Sequence, residues 1–160
     1  MTAKQIGSRI AIKSALIGIV TAYSIMAILI GLDEGITAIL WVLDINYWPN
    51  LLLGALGLLL MGYLFGQRAG IEIIEQKKDY SWVGIKYGFI TLITGTLIGS
   101  TLGFLQEGLD NIGTYDNPFE DYYFKPLFWV MIFGLVPVVL VGLWFGRKIK
   151  KVSAKEYNRC

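Results

Sequence analysis

Residues 12–35 read IKSALIGIVTAYSIMAILIGLDEG, and residues 85–108 read IKYGFITLITGTLIGSTLGFLQEG. Aligned without a gap, the two stretches share nine identical residues. Most of the identities recur four positions apart, which places them on one face of a helix. The pattern predicts that the chain contains a duplicated helical unit. The identical pairs are Ile12/Ile85, Lys13/Lys86, Ile17/Ile90, Thr21/Thr94, Ile25/Ile98, Leu29/Leu102, Leu32/Leu105, Glu34/Glu107 and Gly35/Gly108.

The composition is that of a membrane protein. Of the 160 residues, 55% are apolar and 16% are charged, whereas soluble domains carry roughly 25% charged residues. The charges are absent from most of four apolar runs, each close to the ~20 residues that cross a bilayer as a helix. A soluble helical bundle would need polar outer faces, which these runs lack. The predicted membrane spans are residues 10–32, 48–66, 82–106 and 124–146.

The basic residues predict the orientation of these spans. Of the 14 Lys and Arg residues, all but Lys125 lie near the N-terminus up to Lys13, around the loop between the second and third spans, or in the tail. Basic loops stay on the cytoplasmic side of a membrane. We therefore predict that both termini are cytoplasmic. Eight of the twelve acidic residues fall on the other side: Asp33, Glu34, Asp44, Glu107, Asp110, Asp116, Glu120 and Asp121.

Spans one and two form one unit, and spans three and four form the second, with repeat halves 10–68 and 83–148. The second spans match more weakly, through the shared pattern Gly-x-x-Phe-Gly at 62–66 and 142–146. Two tandem hairpins keep the same orientation, which makes this a parallel repeat. The predicted fold is thus an all-α integral membrane protein, with four transmembrane helices in one domain over residues 1–160. We expect it in the cell (inner) membrane as a multi-pass protein.

The residue inventory restricts the chemistry. The chain has no His, and its one Cys is Cys160. His-ligated haem, His-containing zinc sites, cysteine clusters and internal disulfides are therefore excluded. No phosphate-binding loop, nucleophile elbow or zinc-protease motif occurs. We predict that the protein is not an enzyme, has no catalytic residues, and needs no metal or cofactor.

Glu34 and Glu107 are the strongest candidate site residues, because they occupy matched positions at the outer ends of spans one and three. Asp33 stands beside Glu34. Two carboxylates that face each other can hold a cation or share a proton. The simpler interpretation is that each charge marks the end of a span in the headgroup region. The functional interpretation predicts a cation or proton site at Glu34, Glu107 and Asp33.

Two further sets of residues have predicted roles. Lys13 and Lys86, the matched basic residues, are expected to reach the cytoplasmic lipid headgroups. Gly95, Gly99 and Gly103 form a glycine zipper in span three, where small residues let a neighbouring helix approach closely. The zipper has no counterpart in span one. It predicts that span three is either the central packing helix or the face that meets another copy or a partner.

Two functions remain after these observations. The first is a non-enzymatic accessory or scaffold subunit that acts through helix–helix association. The alternative is a small oligomeric transporter or channel that uses the outer carboxylates. The lack of a mid-membrane charge and of matched broken helices disfavours the transporter. The expected partners are the lipid bilayer and either further copies of the chain or a partner membrane protein, and we expect no nucleic acid.

Overall fold

Four long helices make up most of the described part of the protein. The computed structural model describes residues 1–33, 35, 48–108, 112 and 117–157. These residues form α1 (Ala3–Asp33), α2 (Trp48–Ile74), α3 (Tyr80–Gly103) and α4 (Lys125–Tyr157), and no strand occurs among them. One turn of π-helix, Phe104–Gly108, continues α3, and another, Glu120–Phe124, leads into α4. The all-α prediction is confirmed for the described part of the chain.

Four helical segments are long and apolar enough to cross a membrane, and the third and fourth include residues of the adjoining π-helical turns. These segments are Ala3–Leu29, Leu51–Ile74, Tyr80–Gln106 and Glu120–Lys155. The helices extend beyond the predicted apolar runs, mostly into the basic regions. α4 has 33 residues, which corresponds to a length of about 50 Å, well beyond a hydrocarbon core of about 30 Å.

Local sequence explains where the helices begin. Before α1, the Thr2 backbone N–H donates to Gln5 Oε1 at 3.0 Å, and the Gln5 N–H donates to Thr2 Oγ1 at 3.3 Å. This reciprocal pair is a capping box. Asp79 caps α3 by accepting a hydrogen bond from the Ser81 backbone N–H at 2.9 Å. In the turn between α2 and α3, Lys77 adopts a left-handed backbone conformation (φ 53°), which lets the chain turn sharply after α2.

The helices pack in a ring. α1 contacts α2, α2 contacts α3, α3 contacts α4, and α4 returns to α1. The three consecutive pairs are antiparallel, because contacts run in opposite order along the two helices of each pair. The contacts that show this are Gly70–Ala3 with Gly62–Ala15, Gly54–Gly99 with Leu58–Gly95, and Gly146–Tyr80 with Gly142–Gly84.

The buried core lies at one end of this ring, which we call the packed end. It contains the first turns of α1 and α3 and the last turns of α2 and α4. Ala69, Val83 and Ile149 have no exposed surface. The rest of the core cluster is Ile6, Ile10, Ala11, Ile73, Tyr87 and Phe145. Toward the opposite end, large apolar side chains such as Leu32 (80% exposed) and Val136 (61% exposed) point outward.

Glycines let the two helices of each hairpin approach closely, and they do so at matched positions. Gly66 of α2 lies against Gly7 and Ala11 of α1. In the second hairpin, Gly146 of α4 lies against Tyr80 and Gly84 of α3. When Ile12 is aligned with Ile85, Gly7 corresponds to Tyr80 and Ala11 to Gly84. The two hairpins therefore use the same packing register.

The glycine zipper of α3 packs inside the chain. Gly99 lies against Gly54 of α2, where a Cβ would be 3.1 Å from the Gly54 Cα. Gly95 lies against Leu58 of α2, and Gly103 lies against the ring of Tyr122. These three contacts are all with residues of the same chain, and the predicted role of the zipper stays a prediction.

Candidate functional site

The main polar cluster of the described residues connects α2 to α3 at the packed end. The Glu72 carboxylate accepts hydrogen bonds from Lys86 Nζ at 2.8 and 2.9 Å, and from the Tyr87 hydroxyl at 2.7 Å. Lys78 Nζ lies 3.3 Å from the same carboxylate. The Glu72 side chain is only 15% exposed, whereas that of Lys78 is 53% exposed. Lys86 and Tyr87 are therefore its principal partners.

Aromatic contacts hold this cluster in place. Lys86 Nζ lies 4.4 Å from the centre of the Tyr87 ring, and Phe65 of α2 stacks on the same ring with centroids 6.1 Å apart. The carboxylate is engaged by three donors from the chain itself, so the arrangement is suited to joining helices. It connects the last turn of the first hairpin to the first turns of the second.

The predicted carboxylate site falls largely outside the described residues. Glu34 is not among them, and the side chains of Asp33 and Glu107 are not described either. The Asp33 backbone ends α1, and the Glu107 backbone lies in the π-helical turn that follows α3. Within the described ranges, no group of three or more His, Cys, Asp or Glu residues could hold a metal ion. The cation or proton site at Glu34, Glu107 and Asp33 stays a prediction.

The matched lysines have different surroundings. Lys86 is paired with Glu72, and its side chain is 33% exposed. Lys13 is exposed and lines a cleft between α1 and α4. The contact of Lys13 and Lys86 with lipid headgroups stays a prediction.

The α1–α4 cleft has a volume of about 170 Å³ and lies at the packed end. Three cationic side chains line it: Arg9 and Lys13 from α1, and Lys148 from α4. Lys148 Nζ lies 5.9 Å from the centre of the Trp144 ring. The remaining walls include the apolar side chains of Ile6, Ile10 and Val152.

Hydroxyl groups in the spans bond to their own helices. Thr94 donates to the Ile90 carbonyl at 2.7 Å, and Thr96 donates to the Leu92 carbonyl at 2.8 Å. Ser14 and Ser24 bond in the same way to carbonyls four residues earlier. Such bonds are the usual way that hydroxyls are satisfied within a helix.

At the opposite end, an aromatic cluster joins α3 to α4. Phe104 packs against Phe119 with centroids 5.0 Å apart, and against Tyr123 at 5.4 Å. The Tyr123 hydroxyl lies 3.3 Å from Thr101 Oγ1. The cluster therefore links the two π-helical turns.

Neither sequence nor structure comparison assigns the chain to a family. No protein-family model, no curated protein and no solved structure matches it.

Proposed function

We propose that this protein is a multi-pass protein of the cell (inner) membrane, built from two tandem hairpins, which acts as a non-enzymatic accessory or scaffold subunit through helix–helix association. The observation that carries the proposed role is a row of exposed aromatic side chains in mutual contact, which runs from Phe124 at the end of the π-helical turn along α4 to Phe133. The membrane location, the orientation and the repeat each have separate support.

The charge distribution supports an orientation with the packed end in the cytoplasm. Among the described residues, every Lys and Arg except Lys125 lies at the packed end or in the turn and helix extensions beyond it. Lys125 forms an ion pair with Asp121. Basic residues favour the cytoplasmic side of a membrane.

The packing register supports the duplication. Gly66 and Gly146 contact matched residues of α1 and α3, as described above. Gly142 likewise lies against Gly84, and Gly62 lies near Ala11. Residues that are aligned in the sequence therefore make the same interhelical contacts in both hairpins. This agreement favours a parallel repeat, because two unrelated apolar helices would not be expected to pack at the same positions.

The exposed face of α4 supports association. Phe128 packs on Trp129 and Trp129 on Phe133, each pair with ring centroids 5.7 Å apart, and Phe124 stacks on Phe128 at 6.4 Å. All four side chains are 45–64% exposed. Aromatic anchors that are already ordered lose little entropy on binding, and they are enriched at the centres of interfaces. We assign this aromatic row as the surface that receives a second copy or a partner helix.

The test is the composition of the purified protein in mild detergent. We expect a complex of fixed stoichiometry, measured by light scattering or native mass spectrometry, rather than the 17.9 kDa monomer. Trp129→Ala with Phe133→Ala should dissociate it. Val20→Ala with Ile28→Ala, which truncates two exposed residues of α1, should leave it intact. A folded wild-type chain that purifies only as a monomer contradicts the proposal.

A cation or proton transporter is the second candidate. Its support is the π-helical turn Phe104–Gly108, which includes Glu107, because π-helical turns are frequent at functional sites. Flux of protons or cations into liposomes, lost in Glu34→Gln with Glu107→Gln, would establish this function. Flux that is unchanged in the double variant would exclude these carboxylates.

A further inference from the structure

Two interhelical junctions at the packed end are counterparts in the proposed repeat. When α1 is matched with α3 and α2 with α4, the α2–α3 junction corresponds to the α1–α4 cleft. Lys86 corresponds to Lys13, as the alignment of the first and third helices gives. Aligning Gly66 with Gly146 places Val152 of α4 at the position of Glu72 of α2. The carboxylate present in one junction is therefore replaced by an apolar side chain in the other.

The charge balance of the two junctions differs as a result. In the α2–α3 junction, the Glu72 carboxylate accepts two charge-assisted hydrogen bonds from Lys86. In the α1–α4 cleft, Arg9, Lys13 and Lys148 are among the residues that line a space of about 170 Å³. Within the described part of the chain, no carboxylate forms an ion pair with any of these three cations. The three cations thus lack a counterpart of the Glu72 carboxylate, and an external anion would neutralise their charge.

The walls of the cleft indicate what kind of anion fits. Trp144, Ile6, Ile10 and Val152 give it apolar sides, so the ligand should be amphipathic. Exposed Leu16 and Ile17 continue along α1 toward the opposite end, and exposed Leu140 continues along α4. Acyl chains could lie on these surfaces while a phosphate remains among the cations. Basic pockets between helices on the cytoplasmic side of a membrane bind anionic lipid headgroups.

We propose that the α1–α4 cleft binds the headgroup phosphate of an anionic diacyl phospholipid from the cytoplasmic leaflet, with Arg9, Lys13 and Lys148 as its ligands. The proposal assigns Lys13, and not its matched residue Lys86, to lipid binding, because Lys86 already has a carboxylate partner. It rests on the membrane insertion and orientation proposed above, and it is independent of the scaffold role.

The first test removes the three cations. The full chain in detergent is titrated with phosphatidylglycerol and, separately, with phosphatidylcholine, and bound lipid is counted by native mass spectrometry. We expect retention of phosphatidylglycerol, and binding weakened about fivefold per cation removed, or roughly a hundredfold in Arg9→Gln/Lys13→Gln/Lys148→Gln. The matched control is Lys77→Gln/Lys151→Gln/Lys155→Gln, which removes three exposed lysines that do not line the cleft.

The second test supplies the carboxylate that the cleft lacks. Val152→Glu should reproduce the arrangement around Glu72 and displace the lipid, whereas Val152→Gln adds a polar group of similar size without the charge. We expect phosphatidylglycerol binding to fall at least tenfold more in Val152→Glu than in Val152→Gln. Circular dichroism and the thermal unfolding midpoint check that both variants are folded.

Several outcomes would overturn the proposal. Equal binding of phosphatidylglycerol and phosphatidylcholine would do so, as would an equal loss in the cleft variant and its control. Competition by inorganic phosphate at equal concentration would assign the cleft to a free phosphate instead of a lipid. The same mass spectra also give the number of protein chains in the complex. Loss of lipid with an unchanged number of chains concerns the cleft alone, whereas a wild-type protein found only as a monomer concerns the scaffold role.

Discussion

Glu72 links the two hairpins through a single side chain. It belongs to the last turn of α2, and its partners Lys86 and Tyr87 belong to the second turn of α3. A carboxylate that is only 15% exposed loses much of its hydration, so the three hydrogen bonds must replace the lost water. The same lysine would otherwise be a partly buried cation. Each member of the pair is therefore stabilised by the other.

Replacing Glu72 should destabilise the protein. In Glu72→Gln the Lys86 charge loses its counter-ion, and hydrogen bonds to charged groups contribute about 1.5–3 kcal/mol. We expect a lower thermal unfolding midpoint in detergent. Lys78→Gln should change the midpoint much less, because that lysine is 53% exposed and exposed ion pairs contribute at most about 1 kcal/mol.

The double variant Glu72→Gln/Lys86→Gln should lose less stability than the sum of the losses in the two single variants. Additive losses would show that the two side chains do not interact.

The predicted second span ends at residue 66, before Glu72, and the sequence analysis did not predict the cluster around this carboxylate. The charges after residue 67 are of mixed sign, and α2 continues through them as a helix as far as Ile74. A short turn then brings the end of α2 back alongside α3. A carboxylate in the last turn of one helix and a lysine in the second turn of the next would have been the signal. Recognising it requires the helix boundaries, which apolar runs do not define.

Close approach at glycines determines how the helices pair. In membranes, helix association depends on close packing, and small residues permit it. Gly84 and Gly142 are in backbone contact, as are Gly66 and Gly7. Gly18, in contrast, lies in α1 with no atom within 4 Å of the place a Cβ would take. The chain therefore offers both a packed and an unpacked helical glycine.

Alanine substitutions at these two glycines should have opposite effects. A methyl group at Gly84 would collide with the Gly142 backbone carbonyl, and overpacking of this kind costs about 1–3 kcal/mol. At Gly18 the gain in helix propensity, up to about 1 kcal/mol, should dominate. We expect Gly84→Ala to lower the thermal unfolding midpoint and Gly18→Ala to leave it unchanged or raise it. A midpoint that is equal in both variants would contradict the packing described for α3 and α4.

The sequence predicted the number, order and apolar character of the helices, because each needs a long apolar run to span a bilayer. The predicted role of Gly95, Gly99 and Gly103 in close approach stays a prediction, although all three contact residues of the same chain. The identity of the helix that approaches them was left open between the chain's own helices and a partner. That choice depends on the ring arrangement, in which α3 lies between α2 and α4, and sequence periodicity does not encode it.

At the scale of the whole molecule, the bundle is asymmetric along its axis. The packed end contains the buried core, the Glu72 junction and nearly all described basic residues. The opposite end is held by the aromatic cluster of Phe104, Phe119, Tyr122 and Tyr123. We therefore expect local opening to begin at the end of the bundle that lacks the buried core, since stability follows buried contacts.

The proposed scaffold and lipid site both require two hairpins inserted in the membrane with the same orientation, with the α2–α3 turn in the cytoplasm. Cysteine labelling in intact cells tests it directly. The background is Cys160→Ser, which leaves the chain without a cysteine, and single cysteines are then placed at Lys77, in that turn, and at Asn117, before α4. We predict that a membrane-impermeant maleimide labels Asn117→Cys in intact cells and labels Lys77→Cys only after permeabilisation. Labelling of Lys77→Cys in intact cells, with Asn117→Cys protected or equally labelled, would contradict the account.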